Sequence, residues 1–220
     1  MKSGDIVLIV GKRETGKTTI VKDILYHNQD VSTGTVISGT EGINKEYQSI
    51  MQKYELFNEY RPEIIENVVK LQQLKTKHHN SVKHDLITTD PKAFLVFDNC
   101  MFDRSWTKDK NIKYIFQNAK NISETLIITE SYCVGVPSSF KTNTDYVFIL
   151  RENMVNNRRR LYETYAGVFQ SFEIFCQVMD QRTDNYECLV VNHTSKSTKL
   201  EDRVFWYKAD LHDTDSFSKS

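Results

Sequence analysis

The stretch that most constrains the fold is a glycine-rich segment near the amino terminus, VLIVGKRETGKTTIVKDIL at residues 7–25. Apolar residues typical of a buried strand lead into Gly11, and an apolar helical pattern follows Gly-Lys-Thr-Thr. Residues 11–18 match the pattern G-x-x-x-x-G-K-[ST] at every fixed position. A strand, a glycine turn and a helix start in this order predict a loop that holds nucleotide phosphates.

Each residue type in this loop has a physical role at a phosphate. Its two glycines let the backbone turn tightly and aim N–H groups inward, where they and the helix dipole hold the β-phosphate. Lys17 reaches the β- and γ-oxygens, and the hydroxyl of Thr18 is placed to ligate Mg²⁺. Lys12, Arg13 and Glu14, at variable positions of the loop, are expected to face solvent, although a cation there could touch phosphate. The predicted nucleotide-binding residues are Gly11, Lys12, Arg13, Glu14, Thr15, Gly16, Lys17, Thr18 and Thr19.

Beyond the loop, short apolar runs alternate with longer amphipathic segments. Predicted buried strands lie at 5–10, 35–38, 93–98, 125–129 and 146–150, and predicted helices at 17–28, 62–86 and 109–120. This alternation predicts an α/β fold, a P-loop NTPase three-layer sandwich with a mainly parallel central sheet. Helices near 153–165 and 169–180, a strand at 186–191 and an apolar piece at 204–209 complete the prediction. Because no linker is visible, we expect one ATPase domain over 1–220, with a polar tail at 210–220.

Composition limits the class of protein. The chain has 29 Lys and Arg against 29 Asp and Glu, so its formal net charge is zero. Any contact with nucleic acid must then rest on a local patch or on assembly. The four cysteines form no Cys-x-x-Cys pair, which favours free thiols in a reducing compartment. With no signal-peptide pattern and apolar runs far below the ~20 residues that span a bilayer, the sequence predicts a soluble intracellular protein.

A second predicted element of the site is an acid at the end of the strand AFLVFD. A P-loop enzyme needs such a carboxylate to hold Mg²⁺ through water, so Asp98 joins Thr18 as a predicted metal residue. Many motor-type P-loop enzymes have a further acid next, to polarise the attacking water, and here that residue is Asn99. An amide can orient water but cannot take its proton, and general-base help is typically worth ~10²–10⁴-fold. Glu130 and Glu41 are alternative bases, or merely surface or capping acids.

With these residues identified, the chain resembles the genome-packaging ATPases of large DNA viruses, in the FtsK–HerA superfamily. The resemblance covers nearly the whole chain, through the blocks GKRETGKTT, FLVFDNCMFDRSW, IFQNAKN, IITESYCVGVPSSFKTNTDYVFILRE, NRRRLYETYAGVF, FCQVMDQRTDNYECLVV and VFWYKAD. It implies a homo-oligomeric, ring-shaped ATPase that uses ATP and Mg²⁺ to move double-stranded DNA into a capsid. It also implies a location in the host cytoplasm, at the viral factory, or in the virion, with a capsid or membrane-associated virion component as a further partner.

The chain departs from the family pattern at chemically active positions. Asn99 replaces the second acid, Lys120 replaces an arginine, Ser131 replaces a glutamine, and Lys141 replaces another arginine. Lysine keeps the charge but loses the planar fork that makes arginine effective at a transferring phosphate. The predicted catalytic residues, from the motif, the strand ends and the resemblance together, are nevertheless Lys17, Asp98, Asn99, Lys120, Glu130, Ser131 and Lys141. These departures keep open an alternative function, a nucleotide-binding assembly or regulatory subunit with weak or lost hydrolysis.

Three further groups of charged residues have open interpretations. The run Arg158–Arg160 and Arg151 are candidates for a subunit contact or a trans-acting arginine, or a solvated face. His78, His79 and His84 have a spacing that suggests metal binding, but exposed histidines are the simpler interpretation. The same region contains lysines that form either a DNA-facing patch or a solvated surface: Lys70, Lys75, Lys77 and Lys83. A third function, a small-molecule kinase, suits the loop but not the downstream blocks.

Overall fold

A computed structural model of the chain describes residues 1–31, 33–48, 54–81, 90–100, 105–132 and 136–212. Its elements are, in chain order, β1 (Ile6–Val10), α1 (Lys17–Tyr26), β2 (Gly34–Ser38), α2 (Glu41–Asn44), β3 (Glu55–Phe57), α3 (Pro62–Ser81), β4 (Ala93–Asp98), α4 (Lys110–Asn118), β5 (Glu124–Glu130), α5 (Ser138–Lys141), β6 (Tyr146–Ile149), α6 (Val155–Tyr165), α7 (Phe172–Arg182), β7 (Glu187–Asn192) and β8 (Val204–Lys208). The eight strands of the described residues form one mixed sheet in the order β3-β2-β4-β5-β1-β6-β7-β8.

The described residues divide into two compact units, of which the first contains Met1–Ile6 and Asn28–Ile127. In this unit β2 pairs in parallel with both β3 and β4, so that Val36 lies opposite Leu56 and Val96. All six residues of β4 are buried, as expected for a parallel strand covered on both faces. The helix α4 begins at its cap Asp109, whose carboxylate accepts the N–H groups of Asn111 and Ile112.

The second unit contains Val7–His27 and Ile128–His212. Here β1 pairs in parallel with β6, while β7 runs antiparallel to both β6 and β8. All five residues of β1 are buried, because every residue of this strand is apolar. The helix α7 begins after Ser171, whose hydroxyl accepts the N–H of Ile174.

The predicted α/β fold with a mainly parallel sheet is confirmed, and the predicted strands and helices match described elements to within a few residues. The predicted helix 62–86 is confirmed as far as Ser81, and its remaining residues lie outside the described ranges, as does 213–220 of the predicted tail. The sequence missed β3, α2 and α5, which have only three or four residues each and so show no period. Among the described residues, no helix has both the length and the apolar character to cross a membrane.

Candidate nucleotide site

The predicted phosphate loop begins at Gly11, directly after β1. The Gly11 N–H donates a 3.0 Å hydrogen bond to the backbone oxygen of Glu130, which ties the loop to the end of β5. A Cβ atom at Gly11 would lie 2.5 Å from the Thr15 hydroxyl and 2.7 Å from Cβ of Leu150. Those separations are far inside van der Waals contact, so the close turn of this backbone requires glycine.

The loop ends at Gly16, the residue before the first turn of α1. Its φ of +99° is a left-handed conformation that L side chains rarely adopt, so glycine is required here as well. No side chain caps the helix that follows. The first N–H groups of a helix have no acceptor within it, and together with the dipole they form an anion-binding end. This helix start therefore suits a phosphate group.

The invariant lysine of the motif is held against the loop backbone. Lys17 Nζ donates to the backbone oxygens of Gly11 and Lys12, at 2.8 Å each. The Thr15 hydroxyl donates to the same Lys12 oxygen, also at 2.8 Å. Thr18 and Thr19 are half-buried in the first turn of α1. These contacts place an ammonium group and two hydroxyls at the helix end that suits a phosphate and its metal ion.

Lys12 is an exception to the expected exposure of the variable loop positions. Arg13 and Glu14 are exposed, whereas Lys12 is half-buried and forms a 2.8 Å ion pair with Glu152. The Glu152 carboxylate also accepts the N–H of Met154 and the amide of Asn157. Burial raises the pKa of Glu152, but these three donors outweigh burial and hold that pKa below its usual value. Lys12 is thus tethered to the chain after β6 rather than turned into solvent.

The first unit contains the predicted metal-supporting acid. Asp98 is 1% exposed, and its Oδ2 accepts a 2.8 Å hydrogen bond from the hydroxyl of Tyr47, which is also buried. Burial, with the negative charge of Asp98, raises the pKa of Tyr47 well above its ordinary value, so this hydroxyl remains a donor. Such a hydrogen bond fixes the orientation of a carboxylate, as outer partners do for metal ligands. The sequence alone gives no signal for Tyr47.

Asn99 occupies a left-handed backbone position, with φ of +56°. Asparagine and aspartate tolerate this conformation better than other residues with side chains. The backbone approach is also close, since a Cβ at Gly39 would lie 2.6 Å from the Asn99 oxygen. The backbone therefore accepts either an amide or an acid here, and the choice of asparagine changes only the chemistry.

The two alternative bases differ in their surroundings. Glu130 is 3% exposed at the end of β5, and its backbone oxygen accepts the Gly11 N–H at the start of the phosphate loop. Both carboxylate oxygens of Glu41 accept the Tyr47 N–H, each at 3.1 Å. Burial raises the pKa of Glu41, against the effect of this hydrogen bond. The Glu41 carboxylate thus holds the backbone that follows α2, and Glu130 is the acid whose own backbone oxygen contacts the start of the loop.

The remaining predicted catalytic residues are dispersed. Ser131 is half-buried directly after β5, and Lys141 lies at the end of α5 with Nζ 5.6 Å from the ring centre of Tyr165.

Lys120 precedes β5 and lies 3.9 Å from the carboxylate of Asp5. The Ala93 N–H donates to the Ser123 oxygen, so β4 and β5 start at the same edge of the sheet. Asp98 ends β4, roughly 16 Å further along, so Lys120 and Asp98 are not brought together.

The arginine run is only partly available to a partner. Arg158 is 8% exposed, and its guanidinium donates to Asp180 and to the backbone oxygen of Glu152. The Arg159 guanidinium lies 4.2 Å from the ring centre of Phe172. Arg160 is exposed, and the partly exposed Arg151 pairs with Asp184. Arg160 is the member of the run best placed to reach another subunit.

Contacts within the chain weaken the interpretation of the lysines as a DNA-facing patch and of the histidines as a metal site. Lys70 pairs with Glu66 at 2.6 Å, and Lys75 donates to the Thr33 hydroxyl at 2.8 Å. His78 is exposed and His79 is half-buried, and neither belongs to a metal-compatible group among the described residues. Lys83 and His84 lie outside the described ranges.

An aromatic residue that the sequence did not indicate lies beside the loop. Tyr186 is 68% exposed, and its ring edge is 3.4 Å from the point where a Cβ on Gly16 would lie. Both Asn185 and Tyr186 have a positive φ, of 53° and 64°, so the turn before β7 is a strained backbone segment. An exposed aromatic ring at the phosphate loop offers a face on which a nucleotide base can stack.

Viral proteins match this chain over most of its length. Uncharacterized protein 075L of Invertebrate iridescent virus 6 is 30% identical over 213 residues, which are 96% of this chain and 80% of the relative. Uncharacterized protein L437 of Acanthamoeba polyphaga mimivirus is 29% identical over 204 residues, which are 92% of this chain and 72% of the relative. No protein-family profile matches the chain.

Solved structures of ATPases share the fold. The genome packaging NTPase B204 from Sulfolobus turreted icosahedral virus 2, in complex with AMPPCP, has a TM-score of 0.64 at 15% identity, covering 95% of this chain and 100% of B204. The pCW3 conjugation coupling protein TcpA, in its monomer form with ATPγS, has a TM-score of 0.68 at 12% identity, covering 97% of this chain and 62% of TcpA. At these identities the likeness establishes the fold, and the fold implied by the resemblance to packaging ATPases is confirmed.

Proposed function

The chain belongs to the viral protein family that includes protein 075L of Invertebrate iridescent virus 6, and we propose that it is an ATP-driven motor that packages double-stranded viral DNA into capsids. The observation that carries this proposal is an intact phosphate loop, with glycine at both positions that require it, in the fold of a genome-packaging NTPase. That NTPase is in complex with an ATP analogue, which supports ATP as the nucleotide.

The loop fits ATP, because its glycines permit the close backbone turn and its helix start has no capping side chain. In the proposed complex the loop N–H groups hold the β-phosphate, and Lys17 turns from the Gly11 and Lys12 oxygens to the phosphate oxygens. Thr18 and, through water, Asp98 would hold Mg²⁺, with the Tyr47 hydroxyl orienting the Asp98 carboxylate. The metal ion supplies charge neutralisation on the transferring phosphate oxygens.

Hydrolysis needs a residue that accepts a proton from the attacking water, and we assign this role to Glu130. The observation that favours Glu130 is its position, since it is buried at the end of β5 and its backbone oxygen accepts the N–H of Gly11, the first residue of the loop. Asn99 then orients the water through its amide. The matched test is Glu130→Gln, which should abolish turnover while ATP affinity stays within about twofold; unchanged turnover would remove Glu130 from this role.

The proposed motor is a homo-oligomeric ring that surrounds duplex DNA. A trans-acting arginine at the neighbour's nucleotide is typical of such assemblies and is worth roughly 10³–10⁵-fold in turnover where it acts. Arg160 is the best candidate, because it is exposed on α6 while Arg158 is buried and paired. The proposed locations are the viral factory in the host cytoplasm and the virion, with a capsid or membrane-associated component as the docking partner.

ATP turnover by the purified protein, with and without duplex DNA, tests the proposal. We expect DNA to stimulate turnover and Lys17→Ala to abolish it. Lys113→Ala is the matched control, because it removes an exposed lysine on α4 that belongs to none of the candidate sites and should leave turnover unchanged. If the wild type binds ATP but its turnover, with or without DNA, is no higher than that of Lys17→Ala, the motor proposal is contradicted.

A second candidate function is a nucleotide-binding assembly or regulatory subunit with weak or lost hydrolysis. The observation in its favour is Asn99, an amide at a position whose backbone accepts an acid equally well. This function predicts that ATP binding changes the oligomeric state while turnover stays at background. Sedimentation with ATP and with ADP, with ATP turnover measured in the same samples, separates the motor from the assembly subunit. A subunit that only binds ATP should assemble without consuming it.

A further inference from the structure

Three side chains with metal-binding atoms come together in the second unit, away from the phosphate loop. They are Asp23, His27 and His212, and one ligand atom from each lies within 4.8 Å of the others. Asp23 Oδ1 is 2.5 Å from His212 Nε2 and 3.3 Å from His27 Nε2. The side chain of Asp23 is 1% exposed, that of His212 10% and that of His27 58%. The group thus has a buried floor and one side open to solvent.

The local structure explains why these three meet. Asp23 and His27 are four residues apart on α1, so their side chains project from the same face of the helix. His212 follows β8, and its ring stacks on Tyr26 with 3.7 Å between ring centres. The hydroxyl of Tyr207, on β8, donates to the other oxygen of Asp23. The Asp23 carboxylate is therefore oriented by tyrosine through Oδ2, with Oδ1 directed at both imidazoles.

The separations are close to those of a tetrahedral zinc site. With metal–ligand bonds of ~2.0–2.2 Å, neighbouring ligand atoms are about 3.3 Å apart. The distance between Asp23 Oδ1 and His27 Nε2 already has this value. The distance between Asp23 Oδ1 and His212 Nε2 has to increase by about 0.8 Å. Three protein ligands leave a fourth position for water on the exposed side, next to His27. A ligating carboxylate that accepts a hydrogen bond from tyrosine is a typical outer contact of such sites.

The ligand set selects the class of ion. Two imidazoles and one carboxylate suit borderline divalent metals such as zinc, cobalt and nickel, whereas Mg²⁺ and Ca²⁺ prefer oxygen ligands throughout. We propose that Asp23, His27 and His212 bind one divalent transition-metal ion, with zinc as the expected occupant, and that the ion fastens the segment after β8 to α1. Because α1 starts at the phosphate loop, the ion also holds the far end of the helix on which that loop depends.

Zinc binding by the untagged, chelator-treated protein tests the site. We expect one equivalent of zinc to bind in competition with a chromogenic chelator, and cobalt to give the strong visible absorption of a tetrahedral site. His27→Ala and His212→Ala should each weaken zinc binding at least tenfold. His27 is largely exposed, so its replacement leaves the core intact even if His212→Ala reduces stability. His78→Ala is the matched control, since it removes an exposed histidine from α3.

A structural readout separates a metal fastening from adventitious binding. Zinc should raise the melting temperature of the wild type and of His78→Ala but not that of His27→Ala. Equal zinc affinity in the wild type and His27→Ala, an octahedral cobalt spectrum, or no stoichiometric binding would each overturn the proposal. None of these outcomes depends on ATP turnover, so the test stands whether or not the motor function holds.

Discussion

The phosphate loop and the end of β4 contribute different parts of the predicted ATP chemistry, and they are built in different ways. The loop is made by consecutive residues and by backbone geometry, with glycine required at Gly11 and Gly16. The end of β4 depends on side chains from distant segments, since Asp98 is oriented by Tyr47 and followed by Asn99. The first region keeps every fixed residue of its motif, while the second has Asn99 where the packaging ATPases that the sequence resembles commonly have a second acid. Holding ATP and splitting ATP are thus separate properties that can be lost one at a time.

The largest effect is expected from a methyl group at Gly16. Gly16→Ala places a Cβ on a residue with φ of +99°, 3.4 Å from Tyr186, and strains the turn that aims the loop N–H groups. We expect ATP affinity to fall roughly a hundredfold, measured by titration with a fluorescent ATP analogue. Gly167→Ala is the matched control, because no atom lies within 4 Å of its added Cβ. Equal affinities of the two variants would contradict the account of the loop.

The next effect concerns the missing acid. Asn99→Asp keeps a side chain that tolerates φ of +56° and adds a second proton acceptor to the one proposed at Glu130. We expect turnover to rise by at least about tenfold, with ATP affinity unchanged. Asn67→Asp, on the exposed face of α3, adds the same charge as a control. No gain in turnover would show that Asn99 does not limit hydrolysis.

A smaller effect is expected from the hydroxyl that orients Asp98. Tyr47→Phe removes the 2.8 Å hydrogen bond, so the Mg²⁺ concentration that half-saturates turnover should rise about tenfold. Tyr54→Phe is the control, because Tyr54 is also buried in the first unit but donates to the Val31 backbone oxygen. The same Mg²⁺ dependence in both variants would mean that Tyr47 serves the core alone.

The smallest effect is expected at the exposed ring beside the loop. If Tyr186 stacks on the base, Tyr186→Ala should weaken ATP binding by roughly fivefold, while Tyr186→Phe should retain it. Titration with ATP and with inorganic triphosphate separates base from phosphate contacts, since triphosphate affinity should be equal in all three proteins. A loss of triphosphate affinity in Tyr186→Ala would assign the ring to the loop structure instead.

The same contrast explains what could be predicted from the sequence. The positions of the phosphate loop and of Asp98 in the fold could be predicted, because strand, turn and helix signals surround them in consecutive residues. The Tyr47–Asp98 and Lys12–Glu152 contacts join residues far apart in sequence. No periodic pattern in a single sequence indicates that such residues meet in the fold. Arg158 is charged but buried, and it pairs with the exposed Asp180, so neither a subunit contact nor a solvated face, the two sequence-based interpretations of the arginine run, describes this residue. The sequence alone could not reveal the group of Asp23, His27 and His212, because only the position of β8 in the fold brings His212 to α1.

The most direct test of the proposed motor is displacement of a third DNA strand from duplex DNA. A translocating ring should release a labelled triplex-forming oligonucleotide from the duplex in the presence of ATP and Mg²⁺. We expect release that depends on ATP, is absent with a non-hydrolysable analogue, and is abolished by Lys17→Ala. ATP binding without release, at protein concentrations that saturate the duplex, would contradict the motor and leave the nucleotide-binding subunit as the function of this chain.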